Sequence, residues 1–213
     1  MANRGISLAG EIMRGNHLTK RYNNLSYLYS DFRQEVEQLM LSIAQNQLPF
    51  VLYETYRTPQ RQAALVSEGY SLEKHPFNNP HVNGLAVDLL LDKRAIQSRT
   101  QDSLVLQSAV EKALGERAER SLVYDLGTNL VPADGKEPRT IVQNQIVLNY
   151  WNNLGSLIEN QFPKLYWGGN KNIKKNQLIG EDPTHIEFRG SRKLIENRLA
   201  IQQVKSFGAP GLK

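Results

Sequence analysis

The segment Gly84–Leu91 constrains the fold more than any other part of the sequence. It reads GLAVDLLL, and Asp88 is the only acid in an otherwise apolar run. Such a run is typical of a strand buried on both faces. A buried carboxylate without a partner is costly, so Asp88 needs either an arginine or backbone partner or a metal ion. The segment alone leaves both possibilities open.

The choice of metal ligands is narrow in this chain. It contains no cysteine, so thiolate sites and disulfides are excluded. Its only histidines are His17, His75, His81 and His185. His81 precedes Asp88 across a turn-forming Asn-Gly pair, and His185 lies in the alternating segment Thr184–Phe188. A lone histidine is more often a hydrogen-bonded structural residue than a ligand.

Taken together, His81, Asp88 and His185 would give a metal three protein ligands and leave a fourth position for water. That arrangement is typical of a catalytic rather than a structural zinc site. Zinc lowers the pKa of bound water to about 7, and a nearby carboxylate must then take up its proton. Asp182 is the best-placed candidate for this base, because it stands in a D-x-x-H sequence with His185.

Hydrophobic periodicity predicts an α+β fold, with a small, mostly antiparallel sheet and helices packed against it. We predict helices over residues 30–47, 103–120, 144–161 and 191–205, and one after Thr58-Pro59 that ends near Gly69. Predicted strands cover residues 50–56, 84–91, 165–167 and 184–188, with short β pieces within 121–149. Pro49 is predicted to stop the first helix, and Thr58 to cap the second.

Several short motifs extend this interpretation. They are Thr55-Tyr56-Arg57-Thr58 with Gln62 and Gly69, then His81-x-x-Gly84-x-Ala86-x-Asp88, then Trp167-Gly168-Gly169, then Asp182-x-x-His185-x-Glu187. In this order they resemble the family of zinc D-Ala-D-Ala carboxypeptidases and L-alanyl-D-glutamate endopeptidases. That family includes vancomycin-resistance carboxypeptidases and many phage endolysins, and it shares its metal-site architecture with the hedgehog signalling domain. The resemblance covers residues 30–189.

The resemblance implies a hedgehog/D-Ala-D-Ala peptidase-like fold in which His81, Asp88 and His185 bind Zn2+. Asp182 would be the catalytic base, acting on the peptide stems of peptidoglycan. Glu187 shares a strand face with His185 and could orient it, although an ordinary hydrogen-bonding role is equally open.

Three further residues are expected at the substrate site. Arg57 matches the family arginine that holds a substrate carboxylate or a developing oxyanion, with a structural salt bridge as its alternative. Asn79 stands where the family usually has serine, and Trp167 begins the Trp-Gly-Gly segment. Gln62 matches a family glutamine expected to have a structural role. His75 is interpreted as an exposed loop residue, and no catalytic role is expected for His17.

The chain is expected to contain an N-terminal extension (1–29), a zinc peptidase domain (30–190) with an insertion at about 95–145, and a C-terminal helix and tail (191–213). The net charge of +5 favours anionic partners such as the bacterial wall. Nucleic acid is not expected, because the sequence lacks an arginine-rich tract or a basic face interleaved with aromatics. Neither a signal peptide nor a membrane span is apparent.

We therefore expect a monomeric enzyme that is made in the cytoplasm and reaches the cell wall or periplasm through another system. Release by a phage lysis system fits this interpretation, and so does loading into a phage-tail-like or secretion apparatus. The leading activity is L-alanyl-D-glutamate endopeptidase. The alternatives are a D,D-carboxypeptidase or dipeptidase, and a non-catalytic zinc-containing module that binds the cell wall.

Overall fold

The computed structural model describes residues 21–67, 71–92, 122–123, 145–170 and 182–211, and it describes the side chains of these residues except those of 122–123 and 145–148. The predicted helix over 103–120, nearly all of the expected insertion at 95–145 and the first part of the N-terminal extension lie outside these residues.

Helices and strands alternate irregularly along the described chain. The helices are α1 (Ser30–Gln45), α2 (Pro59–Ser67), α3 (Gln145–Gln161), α4 (Ser191–Glu196) and α5 (Leu199–Ser206). The strands are β1 (Phe50–Glu54), β2 (Ala86–Asp92), β3 (Leu122–Val123), β4 (Leu165–Trp167) and β5 (His185–Phe188). Short 3-10 turns cover Leu25–Tyr27, Pro76–Asn78, His81–Asn83 and Gly168–Asn170.

The strands form one antiparallel sheet, which confirms the predicted α+β class. Four strands follow the order β1-β2-β5-β4, and the two-residue β3 pairs with the end of β2. β5 thus lies between β2 and β4, although it follows both in sequence. As a result, His185 pairs directly with Asp88 across β2 and β5.

The hydrophobic core lies between the sheet and the helices α1 and α3. Helix α1 buries one stripe of apolar side chains and α3 buries another, including the fully buried Trp151. The register partners Val87 and Ile186 belong to this core. Because successive side chains of a strand point to opposite faces, the adjacent pair Asp88 and His185 occupies the other face.

Two predicted helix boundaries are wrong. Helix α1 ends at Gln45, ahead of the expected stop at Pro49, where Asn46 and the left-handed Gln47 (φ 53°) turn the chain towards β1. The single helix predicted over 191–205 is two helices, because the chain turns at Asn197 and Arg198 adopts a left-handed conformation with φ 54°. The predicted cap of α2 is confirmed, since Thr58 Oγ1 accepts a hydrogen bond from the Arg61 amide at 3.1 Å.

The described part of the expected N-terminal extension packs against the domain. Leu28 is fully buried in the main core, and Tyr22 forms a β-bridge with Tyr56. The Tyr56 hydroxyl donates a hydrogen bond to the carbonyl of Pro210 at 3.0 Å, so residues near both ends of the described chain meet at this ring. Among the helices that the structure describes, none combines the length and apolar character needed to cross a membrane.

Candidate metal centre

Three side chains converge on the face of the sheet opposite helices α1 and α3. The gap between His81 Nε2 and His185 Nδ1 is 3.2 Å. Asp88 Oδ1 lies 3.3 Å from the first nitrogen and 3.4 Å from the second. His81 and Asp88 are buried and His185 is partly exposed. The structure therefore brings together the three ligands predicted from sequence, and the group could hold a metal ion.

Local backbone structure fixes His81 beside the sheet. Its amide donates to the side-chain oxygen of Asn79 at 2.9 Å, which starts the turn His81–Asn83. Gly84 ends that turn in a left-handed conformation (φ 64°), and a Cβ there would lie only 2.5 Å from the carbonyl oxygen of Tyr27. Only glycine fits this position, so the H-x-x-G spacing has a steric cause. Asn79, predicted to bind substrate, is buried and shapes the backbone of a ligand.

The two oxygens of Asp88 have different partners. Oδ1 faces the two histidines, whereas Oδ2 lies 3.5 Å from Nη2 of Arg57. Burial alone would raise the pKa of this carboxyl, but the positive potential and hydrogen bonds of the histidines outweigh burial and lower it. Asp88 therefore remains a carboxylate, as a metal ligand must.

Arg57 belongs to a buried ionic network beneath the centre. Its Nε and Nη2 donate to Glu54 Oε2 at 3.0 and 2.6 Å, and its Nη1 donates to Gln62 Oε1 at 2.9 Å. Arg61 Nε donates to the other oxygen of Glu54 at 2.6 Å. The substrate-binding role expected for Arg57 stays a prediction. In the structure, Arg57 is buried and joins Glu54 to Asp88, the arrangement of the alternative structural salt bridge.

Glu54 is a site residue that the sequence analysis missed. It is completely buried and pairs with two arginines. Burial opposes its ionisation, but the positive charges of Arg57 and Arg61 prevail and lower its pKa. The available signal was similar to that of Asp88: an acid next to apolar strand residues, here at the end of the strand and followed by two arginines at short spacing.

Glu187 holds the outer nitrogen of His185. Its Oε2 lies 3.3 Å from His185 Nε2, and its Oε1 accepts a hydrogen bond from Ser191 Oγ at the start of α4. A proton on Nε2 that is donated to Glu187 leaves the Nδ1 lone pair facing the centre. This carboxylate–histidine pairing is common around metal ligands, because it fixes the ring and its tautomer.

The two histidines differ in their affinity for a proton. Burial lowers the pKa of His81, and the nearby Asp88 only partly opposes this. Burial also works against charge on His185, but its hydrogen bonds to Asp88 and Glu187 prevail and raise its pKa to about 10. Of the two histidines, His185 therefore holds a proton more strongly than His81. A bound cation would displace that proton.

Asp182 lies at the exposed rim, on the turn that leads into β5. Its Oδ1 accepts a hydrogen bond from Thr184 Oγ1 at 3.1 Å, and its carbonyl accepts one from the His185 amide at 3.2 Å. Although the residue as a whole is exposed, partial removal of the carboxyl from water raises its pKa; His185 opposes this effect and Asp88 adds to it. A carboxyl with a raised pKa is better suited to accept and return a proton near neutral pH.

Trp167, also predicted to bind substrate, is buried and supports this turn. Its indole Nε1 donates to the carbonyl of Pro183 at 2.7 Å. The ring lies so close to Gly155 of α3 and to Gly169 that a Cβ on either glycine would clash with it. A Cβ on Gly168 would clash with the Asp182 carbonyl. The Trp-Gly-Gly segment therefore fits closely against the turn that carries the predicted base and a ligand.

We expect Gly155→Ala to destabilise the protein by about 1–3 kcal/mol, as overpacking of a core typically does. The sign of this change in stability is informative, because replacing glycine with alanine within a helix otherwise stabilises a protein by roughly 0.5–1 kcal/mol. Equilibrium urea unfolding would measure the change. Asn153→Ala, at an exposed position of the same helix, serves as the control and should shift stability by less than about 0.5 kcal/mol. A stabilised Gly155→Ala variant would contradict the packing described for Trp167.

The other histidines are not part of the centre. His75 is exposed on the loop before His81, as expected, and His17 lies outside the described residues. No protein-family model, curated protein or solved structure matches the chain.

Proposed function

We propose that this protein is a zinc-dependent peptidase that hydrolyses peptide bonds in the stem peptides of bacterial peptidoglycan. The observation that carries the proposal is the triangle formed by His81 Nε2, Asp88 Oδ1 and His185 Nδ1, with Asp182 at its rim. The H-x-x-G-x-A-x-D and D-x-x-H motifs that supply these residues support the substrate class through the family they resemble.

The spacing of the ligand atoms suits zinc. Zinc bonds to nitrogen and carboxylate oxygen are about 2.0–2.1 Å long and tetrahedral, so ligand atoms around zinc lie roughly 3.3–3.4 Å apart. The three separations of 3.2, 3.3 and 3.4 Å agree with that value. Within the described chain, the group that could hold a metal has three members, which would leave a position for water. When bound here, zinc would supply a Lewis acid and activate that water at neutral pH.

The protein's own residues would then transfer the proton and keep the metal ligands in position. As the water oxygen bonds to the scissile carbonyl carbon, Asp182 accepts a proton from the water. Asp182 returns that proton to the leaving nitrogen as the carbon–nitrogen bond breaks, which gives a carboxylic acid and an amine. Arg57 and Glu187 hold the outer atoms of Asp88 and His185, so the ligands keep their orientation during the reaction.

Of the possible cleavage sites, we favour the bond between L-alanine and D-glutamate. The Trp-Gly-Gly and D-x-x-H segments most closely resemble the endopeptidases of the family. Purified peptidoglycan would be digested with the zinc-loaded protein, and the products identified by mass spectrometry. Fragments with a new N-terminal D-glutamate that disappear on chelation are the expected result. Loss of terminal D-alanine alone would identify a carboxypeptidase instead. No cleavage on several wall types would favour a non-catalytic binding module.

Asp182→Asn tests the proposed base directly. We expect the cleavage rate to fall by roughly 10²–10⁴-fold, the usual contribution of general acid–base catalysis. Zinc stoichiometry should not change, because Asp182 lies outside the ligand group. Asp31→Asn, an exposed acid on α1, is the matched control and should retain full activity. If Asp182→Asn cleaves at the wild-type rate, Asp182 is not the base.

A further inference from the structure

Tyr166 lies on the face of the sheet that carries the candidate metal centre. It pairs with Glu187 across β4 and β5, so the side chains of these register partners share a face. His185 shares that face, because it lies two residues from Glu187 on the same strand. The neighbours of Tyr166 on β4, Leu165 and Trp167, belong instead to the hydrophobic core. Tyr166 is therefore the residue of β4 whose side chain shares a face with His185 and Glu187.

The proposed reaction needs a hydrogen-bond donor for the scissile carbonyl oxygen, and the Arg57 donors of the buried ionic network are already engaged. As the scissile carbonyl is attacked, its oxygen becomes negatively charged, and donors aimed at that oxygen usually contribute strongly to catalysis. Arg57 was the predicted donor, but Nε, Nη1 and Nη2 of its guanidinium already donate to Glu54 and Gln62. To reach a substrate, Arg57 would have to leave buried carboxylates, which is energetically costly.

The Tyr166 phenol meets the requirements of such a donor. The residue is half-buried, and its hydroxyl makes no hydrogen bond to any side chain or backbone group in the part of the chain that the structure describes. Burial raises its pKa, and the negative charge of Glu187 acts in the same direction, so the hydroxyl keeps its proton at neutral pH. The negative charge of Asp182 acts in the same direction, and the positive charge of Arg189 opposes it.

We propose that Tyr166 is a catalytic residue, whose hydroxyl donates a hydrogen bond to the oxygen of the scissile carbonyl as negative charge develops there. No proton is transferred in this interaction, so the hydroxyl is unchanged after each turnover. The proposal rests on the peptidase function proposed above. It assigns to Tyr166 a role that sequence analysis gave to Arg57.

Tyr166→Phe removes the donor and keeps the ring. On a soluble stem-peptide substrate we expect kcat to fall by about 10²–10³-fold, as for loss of one oxyanion donor, with KM changed less than about threefold. A phosphinate analogue of the scissile dipeptide mimics the charged tetrahedral state, and its affinity should fall in parallel with kcat/KM. Tyr29→Phe is the matched control, since the Tyr29 ring contacts Phe188 of β5 and both residues pack against the hydrophobic core. It should leave kcat, KM and analogue binding unchanged.

The outcomes separate this role from the function on which it rests. Suppose that the wild-type protein cleaves its substrate and that the kcat of Tyr166→Phe lies within about threefold of the wild-type value. That result would overturn the role of Tyr166 and leave the peptidase function intact. A rise in KM alone would also overturn it, because the hydroxyl would then contribute equally to substrate and transition-state binding. Loss of zinc from Tyr166→Phe would point to a structural role instead. An inert wild-type protein that fails to bind the phosphinate would overturn both proposals.

Discussion

Replacing His185 with alanine is expected to abolish tight zinc binding and, with it, peptidoglycan cleavage. The substitution removes one of the three proposed ligands and leaves Asp88 and His81 without the third corner of the triangle. We expect the zinc affinity to fall by far more than the roughly 10–100-fold that loss of a ligand's hydrogen-bond partner causes. Competition with a chromophoric chelator would give the affinity, and elemental analysis after dialysis would give the stoichiometry.

His75→Ala provides the matched control for this experiment. It is the same change at an exposed histidine outside the ligand group. The control should retain one zinc per chain and wild-type activity. Were His185→Ala to retain one tightly bound zinc after dialysis, the proposed ligand set would be wrong. The proposed peptidase would then need a different metal site.

Glu54→Gln is expected to destabilise the fold by about 3–5 kcal/mol, the usual cost of breaking a buried ion pair from one side. Glu54 is fully buried and binds both Arg57 and Arg61. Without its charge, Asp88 is the remaining carboxylate within ion-pair distance of Arg57 among the described residues. Glutamine has nearly the same shape as glutamate, so a large effect would report the charge rather than a cavity.

The chain supplies a well-matched comparison in Glu35. It forms an ion pair of 2.9 Å with Lys164, whose side chain is 62% exposed. Exposed ion pairs contribute little to stability, so Glu35→Gln should lower it far less than Glu54→Gln does. Both variants would be unfolded with urea in the presence of a chelator, so that metal binding does not contribute. Equal effects in the two variants would show that the buried network does not stabilise the fold as described.

The group that could hold a metal could be predicted from sequence because Asp88 violates a local expectation. An acid within GLAVDLLL demands a partner, and a chain with no cysteine and few histidines offers little choice. Helices α1 and α3 could also be predicted, because each carries a clear apolar stripe. Thr58 could be recognised as a cap, since its chemistry is local.

What sequence reasoning missed depends on contacts between distant segments. The position of β5 between β2 and β4 follows from pairings that no local pattern encodes. The structural role of Trp167 depends on its contacts with Gly155 and Pro183, which sequence could not predict; its substrate-binding role stays a prediction. The helix break at Arg198 has no glycine or proline to announce it. Glu54 was overlooked because its strand is less uniformly apolar than β2.

The division of the sheet into two faces affects how such a protein could change during evolution. Val87 and Ile186 contribute to the core, while their chain neighbours Asp88 and His185 form the centre. Substitutions at the centre therefore leave most of the packing that holds the domain together in place. A lineage could lose its chemistry and keep its shape, or acquire a new ligand preference, without first having to rebuild a hydrophobic interior.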